Sequence, residues 1–290
     1  MDLTRCPQGS IITRFMDIFT TLLTQPLANG LVLVYKILGN MGLAILVFSI
    51  LLRVVLTPLT RPYMESMKKM RSYSKELNKL KERHKGDRAK AAQAQADFYK
   101  EKGISPTAGC LPYLLQIAVL IFLFRLFTAV FANGGGVSEN FNHFLYEPLK
   151  FAQGEEVNTR FLYLDITKPD KLNELFGLGD SGLPIPGIFL LLASAMQFLS
   201  AKISVPYVEA EAKAAKKTKG KSDDFQVAMQ SSMIYTFPLI TILIGISFPS
   251  SLALYWLAFS AFQVVQQYMA TGWGGATPWV TKLKSLAKRG

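Results

Sequence analysis

Five stretches of the chain, 42–60, 111–131, 184–204, 233–249 and 251–270, are almost uninterrupted runs of apolar residues. Each is close to the ~20 residues that a helix needs to cross the hydrocarbon core of a bilayer. The last two are separated only by Phe248-Pro-Ser-Ser251, which predicts a tight helical hairpin. Ahead of the first run, Ile11, Ile12, Phe15, Ile18, Phe19, Leu22 and Leu23 recur at helical spacing, interrupted by Arg14 and Asp17. That pattern predicts an amphipathic helix lying in the membrane interface within residues 1–41, broken by Pro26 and Gly30. A sixth span over 27–41 is the alternative, and Asn29, Lys36 and Asn40 argue against it.

The few polar residues inside the spans fall on stripes. On the first, Ser49, Arg53, Thr57 and Thr60 share a helical face. On the third, Ser194, Gln197, Ala201 and Ser204 do so. On the fifth, Trp256, Ser260, Gln263 and Gln267 do so, and the second offers Tyr113 and Gln116. Lipid cannot satisfy such groups, so the stripes should face one another. They fit either interhelical hydrogen bonding in a dry bundle or the wall of a hydrophilic groove. Arg53 weighs toward the groove. An arginine near a bilayer centre costs roughly 2.5–3.5 kcal/mol on insertion scales, and guanidinium does not shed its proton. No acidic residue occurs in the five spans to pair with it. A hydrated cleft open toward the cytoplasm is the expectation, lined by Arg53, Ser49, Thr57, Gln116, Gln197, Trp256, Ser260 and Gln263. Trp256 equally suits interfacial or packing duty. A second arginine, Arg125, stands nearer the other end of its span, where snorkelling to headgroups suffices.

The connecting segments divide by charge. Residues 61–105 hold 13 Lys/Arg against 6 Asp/Glu, and 202–231 hold 6 against 4. Residues 270–290 hold 4 against none, whereas 132–183 hold 4 against 8. By the positive-inside rule, 61–105, 205–231 and the basic tail 271–290 lie in the cytoplasm. The acidic loop 132–183 and the N-terminus lie outside, with 132–183 expected as short helices on the outer membrane surface. An N-out, C-in, five-span arrangement satisfies every loop. The fold class expected is an all-α polytopic membrane protein with a groove open to the cytoplasm.

Within 61–105, Met64, Met67, Met70, Tyr73, Leu77 and Leu80 recur every three or four residues, Gly86-Asp87 forms a turn, and Ala89–Lys102 reads as a second helix ending at Gly103. The result is a cytoplasmic helical hairpin with a strongly basic surface: Lys68, Lys69, Arg71, Lys79, Lys81, Arg83, Lys85 and Arg88. A solvated positive-inside loop is one reading. A docking arm for ribosomal RNA or anionic lipid headgroups is the other, favoured by a length well beyond what a connector needs.

The 290 residues are 50% apolar with a net charge of +12. That combination suits a membrane protein with basic loops rather than a DNA-binding protein, which would carry the charge on a polar chain. Cys6 and Cys110, with His84 and His143, are too few for a metal site or a disulfide framework. No cofactor is expected. Within the spans there is no Gly-rich phosphate loop, acid pair, histidine–carboxylate dyad or serine–lysine pair, so catalysis is not expected either. Met1–Gln8 is polar, and neither a signal peptide nor a lipoprotein context around Cys6 is visible.

Several stretches resemble the YidC/Oxa/Alb family of membrane protein insertases. They are Gly39-Asn-Met-Gly-Leu-Ala-Ile45 through Arg53-Val-Val-Leu-Thr-Pro-Leu-Thr60, Met64–Met70 with Lys75–Gly103, Gly109-Cys-Leu-Pro-Tyr-Leu-Leu-Gln116, Phe161-Leu-Tyr-Leu-Asp-Ile-Thr-Lys-Pro-Asp170 and Phe248-Pro-Ser-Ser-Leu-Ala-Leu-Tyr-Trp256. The likeness covers about residues 15–270. It implies a five-span bundle whose groove opens to cytoplasm and lipid but is closed outside. In that likeness Arg53 matches the groove arginine, Gln197 and Trp256 fall among groove residues, and the hairpin matches the region of client capture and partner contact. Implied partners are nascent membrane proteins, the ribosome and the Sec translocon. The bacterial plasma membrane is the expected location, since no transit peptide precedes the core. The large periplasmic domain and extra first span of Gram-negative members are missing, and Arg125 and the long outer loop have no place in the family pattern. The rival function is an anion channel or secondary transporter using Arg53 as an anion site, although the paired broken helices of transporters are not evident. A structural assembly factor is a third reading.

Overall fold

The computed structural model describes residues 23–84, 86–104, 111–132, 136–173, 184–204 and 225–287. The expected interfacial helix at 11–23 falls outside them but for its last residue. The first described helix, α1 (Gln25–Leu38), runs through the point where a break was expected. Pro26 sits in its first turn, where a missing N–H costs nothing. Gly30 lets α1 approach the next helix, since a Cβ there would lie 2.8 Å from the Phe48 ring. Ala28, Leu31, Val32 and Tyr35 form its buried stripe. Gly39, at φ +70°, closes it with an N–H bond to Tyr35 O. Its 14 residues make about 21 Å of helix.

Helix α2 (Met41–Ser72) is continuous for 32 residues and passes the expected boundary at 60/61 without interruption, with Pro58 and Pro62 inside it. Its segment Met41–Pro62 is the one stretch among the described residues that is long and apolar enough to cross a membrane. Helices α3 (Ser74–Arg83) and α4 (Arg88–Glu101) fold back on each other around Gly86 at φ +113°. Asp87 caps α4 by accepting the Lys90 N–H, and this holds its carboxyl below the usual range. Tyr73 meets Phe98 edge-on at 6.0 Å across the pair, and Lys69 Nζ reaches Gly103 O.

Helix α5 (Leu111–Phe127) continues into a π-helical turn, Thr128–Ala132. The acidic segment that follows forms one short helix, α6 (Val137–Asn142), a 3₁₀ turn and a two-stranded hairpin, β1 (Arg160–Phe161) with β2 (Leu164–Asp165). Short helices alone were expected there. The hairpin wins because Phe161 packs against Gly42 and Leu164 is buried, while Asn158 O and Arg160 O are taken by Met41 N and Asn40 Nδ2.

Helices α7 (Ile188–Ser204), α8 (Phe225–Gly245) and α9 (Ser250–Thr271) complete the bundle. A 3₁₀ turn then leads to α10 (Thr277–Ala287), where only a basic tail was expected. Trp279 of α10 stacks on Phe198 of α7, with Lys202 over the indole. The centre of the bundle is α9, packed most extensively against α7 and then α2. Helix α8 shows the inverted distribution expected in lipid. It buries Ile234, Pro238, Thr241 and Gly245 and exposes Leu239, Ile240, Leu243 and Ile244.

Candidate functional site

Arg53 lies on the face of α2 that meets α9. Only 5% of it is exposed. Its Nε donates to Gln266 Oε1 at 3.1 Å, and its guanidinium carbon stands 4.2 Å from the centroid of the Phe259 ring. Gln266 Nε2 in turn donates to Thr57 Oγ1 at 2.8 Å, and Thr57 Oγ1 donates to Arg53 O. The residues at i and i+4 on α2 are thus bridged by one amide from α9. An amide oxygen supplies an acceptor and an aromatic face supplies quadrupole attraction to the charge.

The other polar positions are paired in the same manner. Gln197 Oε1 accepts from Thr241 Oγ1 at 2.7 Å, joining α7 to α8. Ser200 Oγ donates to Gln267 Oε1 at 3.1 Å, joining α7 to α9, and Ser194 Oγ donates to Pro238 O. Ser49 donates back to Ile45 O within α2. Ser260 is buried, Gln263 half-buried. Trp256 belongs to the apolar core, 3.3 Å from where a Cβ on Gly245 would stand. The side chain of Gln116 lies outside the described residues.

Gln266, Phe259, Ser200 and Thr241 escaped the sequence reading. Each had a signal. Gln266 and Ser200 sit three residues beyond Gln263 and Gln197, one step round the same helices. Thr241 is the one hydroxyl between Leu239 and Gly245. Helix α9 turns Gln267 toward α7 and Gln266 with Phe259 toward α2, and a single stripe could not anticipate both.

The end of the bundle where α2, α7 and α9 begin is built differently. Asp170 is fully buried. Its carboxylate accepts from Tyr163 OH at 2.7 Å and from the Leu190 N–H at 2.8 Å, in the first turn of α7. Tyr163 OH also accepts from the Ile188 N–H. Burial, and then the bond to Asp170, push the Tyr163 phenol up to about 12. Lys168 O and Ile166 O take the N–H groups of Ser250 and Ser251, which start α9. Asn29 joins α1 to Phe144 O and Tyr146 N, and Lys36 Nζ reaches Lys150 O. The residues that argued against a span at 27–41 are therefore its anchors. Arg125 is exposed near the α8–α9 turn, where Phe124 meets Phe248 edge-on at 4.8 Å.

Lys68 and Lys69 at the end of α2, and Lys79 and Arg83 on α3, are exposed. Lys85 and the side chains of Arg71, Lys81 and Arg88 lie outside the described residues.

The chain is 29% identical over 253 residues to the membrane protein insertase YidC of Fusobacterium nucleatum, covering 87% of this chain and 97% of that protein. The insertase YidC of Prosthecochloris aestuarii is 28% identical over 269 residues, which is 90% of this chain but 39% of that relative. The Caulobacter vibrioides insertase YidC is 43% identical over 105 residues, 36% of this chain and 17% of that protein. The chain thus spans nearly all of one of these relatives and well under half of the others. The family description "60Kd inner membrane protein" matches residues 32–274, and the chain belongs to that family.

Proposed function

We propose that this chain is a membrane protein insertase of the bacterial cytoplasmic membrane, N-out and C-in with five spans, working without nucleotide hydrolysis. The carrying observation is the buried Arg53, whose guanidinium bonds the Gln266 amide and lies over the Phe259 ring of α9, contacts that a carboxylate can outbid. The hydrophilic flank of a nascent membrane protein enters from the cytoplasm between α2 and α9. An acidic residue in that flank replaces Gln266 at the guanidinium, because a full negative charge attracts the cation more strongly than an amide dipole does. At about 4 Å and an effective dielectric near 20 the new pair is worth roughly 4 kcal/mol before desolvation. The groove is therefore a transient opening lined by Arg53, Ser49, Thr57, Gln116, Gln197, Trp256, Ser260 and Gln263. The membrane potential, ~2.3 kcal/mol per charge per 100 mV, draws the negative flank outward. Burial of the client's apolar span in lipid drives release. The basic α3–α4 hairpin receives the ribosome and anionic lipid, and the Sec translocon is a further partner.

The test is Arg53→Ala beside Arg53→Lys in reconstituted vesicles, with a single-span client whose translocated flank carries acids. Arg53→Ala cuts insertion roughly tenfold or more, the effect of losing at least 1.4 kcal/mol, and Arg53→Lys retains part of it. Full insertion by Arg53→Ala removes the electrostatic role. Anion flux through the reconstituted chain, without insertion, assigns Arg53 to a solute site instead.

A further inference from the structure

A cleft of about 380 Å³ opens beside the β1–β2 hairpin, lined by Arg160, Leu162, Tyr163, Asp165, Lys168 and Lys171 among others. Three cations face one carboxylate there, and among the described residues no ion pair engages any of the three. Asp165 is already occupied, accepting from Thr167 N and Thr167 Oγ1. The cleft is thus a surplus of positive charge built on a folded segment.

The hairpin tip is unusual in a second way. Residues 162 and 163 form a two-residue turn between the paired Phe161 and Leu164. Leu162 sits at φ +53°, a conformation left to Gly, Asn or Asp at such turns. Its side chain gains nothing from packing, being 81% exposed. Strain of this kind persists at sites with a use for it. The surroundings indicate the use. Tyr163 stacks on Phe189 at 5.7 Å, and α7 then continues outward-facing with Ile188, Leu191 and Leu192 exposed. An apolar tip, a tyrosine and a greasy helix face lie in sequence beside a cationic cleft, which is the order of a membrane interface.

We propose that this cleft binds the phosphate of an anionic phospholipid headgroup, with Leu162 dipped among the neighbouring acyl chains and Tyr163 at headgroup depth. This rests on the reading that the chain spans a membrane with this end outward. Arg160, Lys168 and Lys171 hold the phosphate, and the lipid ties down the segment that joins the starts of α2, α7 and α9.

The experiment uses the full chain in phosphatidylcholine nanodiscs, titrated with short-chain phosphatidylglycerol and read by thermal unfolding and by native mass spectrometry. The wild type binds and is stabilised. Arg160→Gln, Lys168→Gln and Lys171→Gln each weaken binding roughly fivefold, the worth of one cation near an anionic surface, while unfolding in phosphatidylcholine alone is unchanged. Inorganic phosphate and polyglutamate give no comparable response. An equal response to either, or undiminished lipid binding in the triple variant, overturns the site. A spin label on Leu162→Cys, in a Cys6→Ser, Cys110→Ser background, is relaxed by lipid-soluble oxygen. Relaxation only by an aqueous agent overturns the insertion of the tip. Arg53→Ala binds the lipid normally, so loss of lipid binding with Arg53-dependent insertion sinks this site alone. Lipid binding with Arg53-independent insertion sinks the insertase mechanism alone.

Discussion

The two ends of the polar interior are held by different kinds of bond. Where α2, α7 and α9 begin, the segment 158–171 is stitched to all three through backbone groups and a buried carboxylate. Around Arg53 and Gln197 the helices are joined through side-chain hydrogen bonds of amides, hydroxyls and one guanidinium. A backbone bond can be exchanged only by moving the chain that carries it. Amides and hydroxyls exchange partners readily. One end is fixed, and the other is held by contacts that an incoming polar chain can replace.

The sharpest way to break this contrast is Asp170→Ala. It leaves the Leu190 N–H and the Tyr163 hydroxyl without their acceptor at the buried start of α7, so it should destabilise by about 3 kcal/mol, the upper range for bonds to a charged group. Thermal unfolding in detergent measures it, and a change no larger than that of an interior serine would erase the distinction. Gly187 gives no room for adjustment, since a Cβ there would stand 1.6 Å from Asp170 Oδ1.

A double-mutant cycle on Thr241→Val and Gln197→Leu should return only about 0.6 kcal/mol of coupling, the average for side-chain bonds between membrane helices. A coupling as large as the Asp170 effect would mean that the middle of the bundle is as rigid as its end.

A further effect is confined to alkaline pH. The Tyr163 phenol is raised from 10.0 to about 12 in the folded chain. The folded state therefore holds a proton that the unfolded state has lost, and stability falls as pH rises between these values. Tyr163→Phe should flatten that limb of a stability–pH curve. An unchanged slope would mean that the phenol is solvated rather than tied to Asp170.

Much of the helix order was legible because apolar runs and their breaks are local signals. The long apolar helix from Met41, the Gly86 turn and the Phe248–Ser251 turn all rest on short-range spacing. What escaped depends on partners far along the chain. Gln266 clamps Arg53 across 213 positions, Asn29 bonds Phe144 across 115, and Asn40 bonds Arg160 across 120. Read locally, Asn29, Lys36 and Asn40 are only polar interruptions. In the fold they are the fastening of α1 to the acidic segment. Helix α10 was hidden for a similar reason, since Trp279 needs Phe198 to stack upon.

The unbroken course of α2 has a mechanical consequence. Thirty-two residues make a rod of about 48 Å, with the guanidinium of Arg53 partway along it and the α3–α4 arm at its far tip. No loop intervenes to absorb a push. Pro58 and Pro62 each delete one rung of the helical ladder, at the carbonyls of Val54 and Pro58, so bending concentrates just beyond Arg53. A load taken up by the arm arrives at the arginine as a tilt, in the manner of a crank with a soft joint beside its bearing.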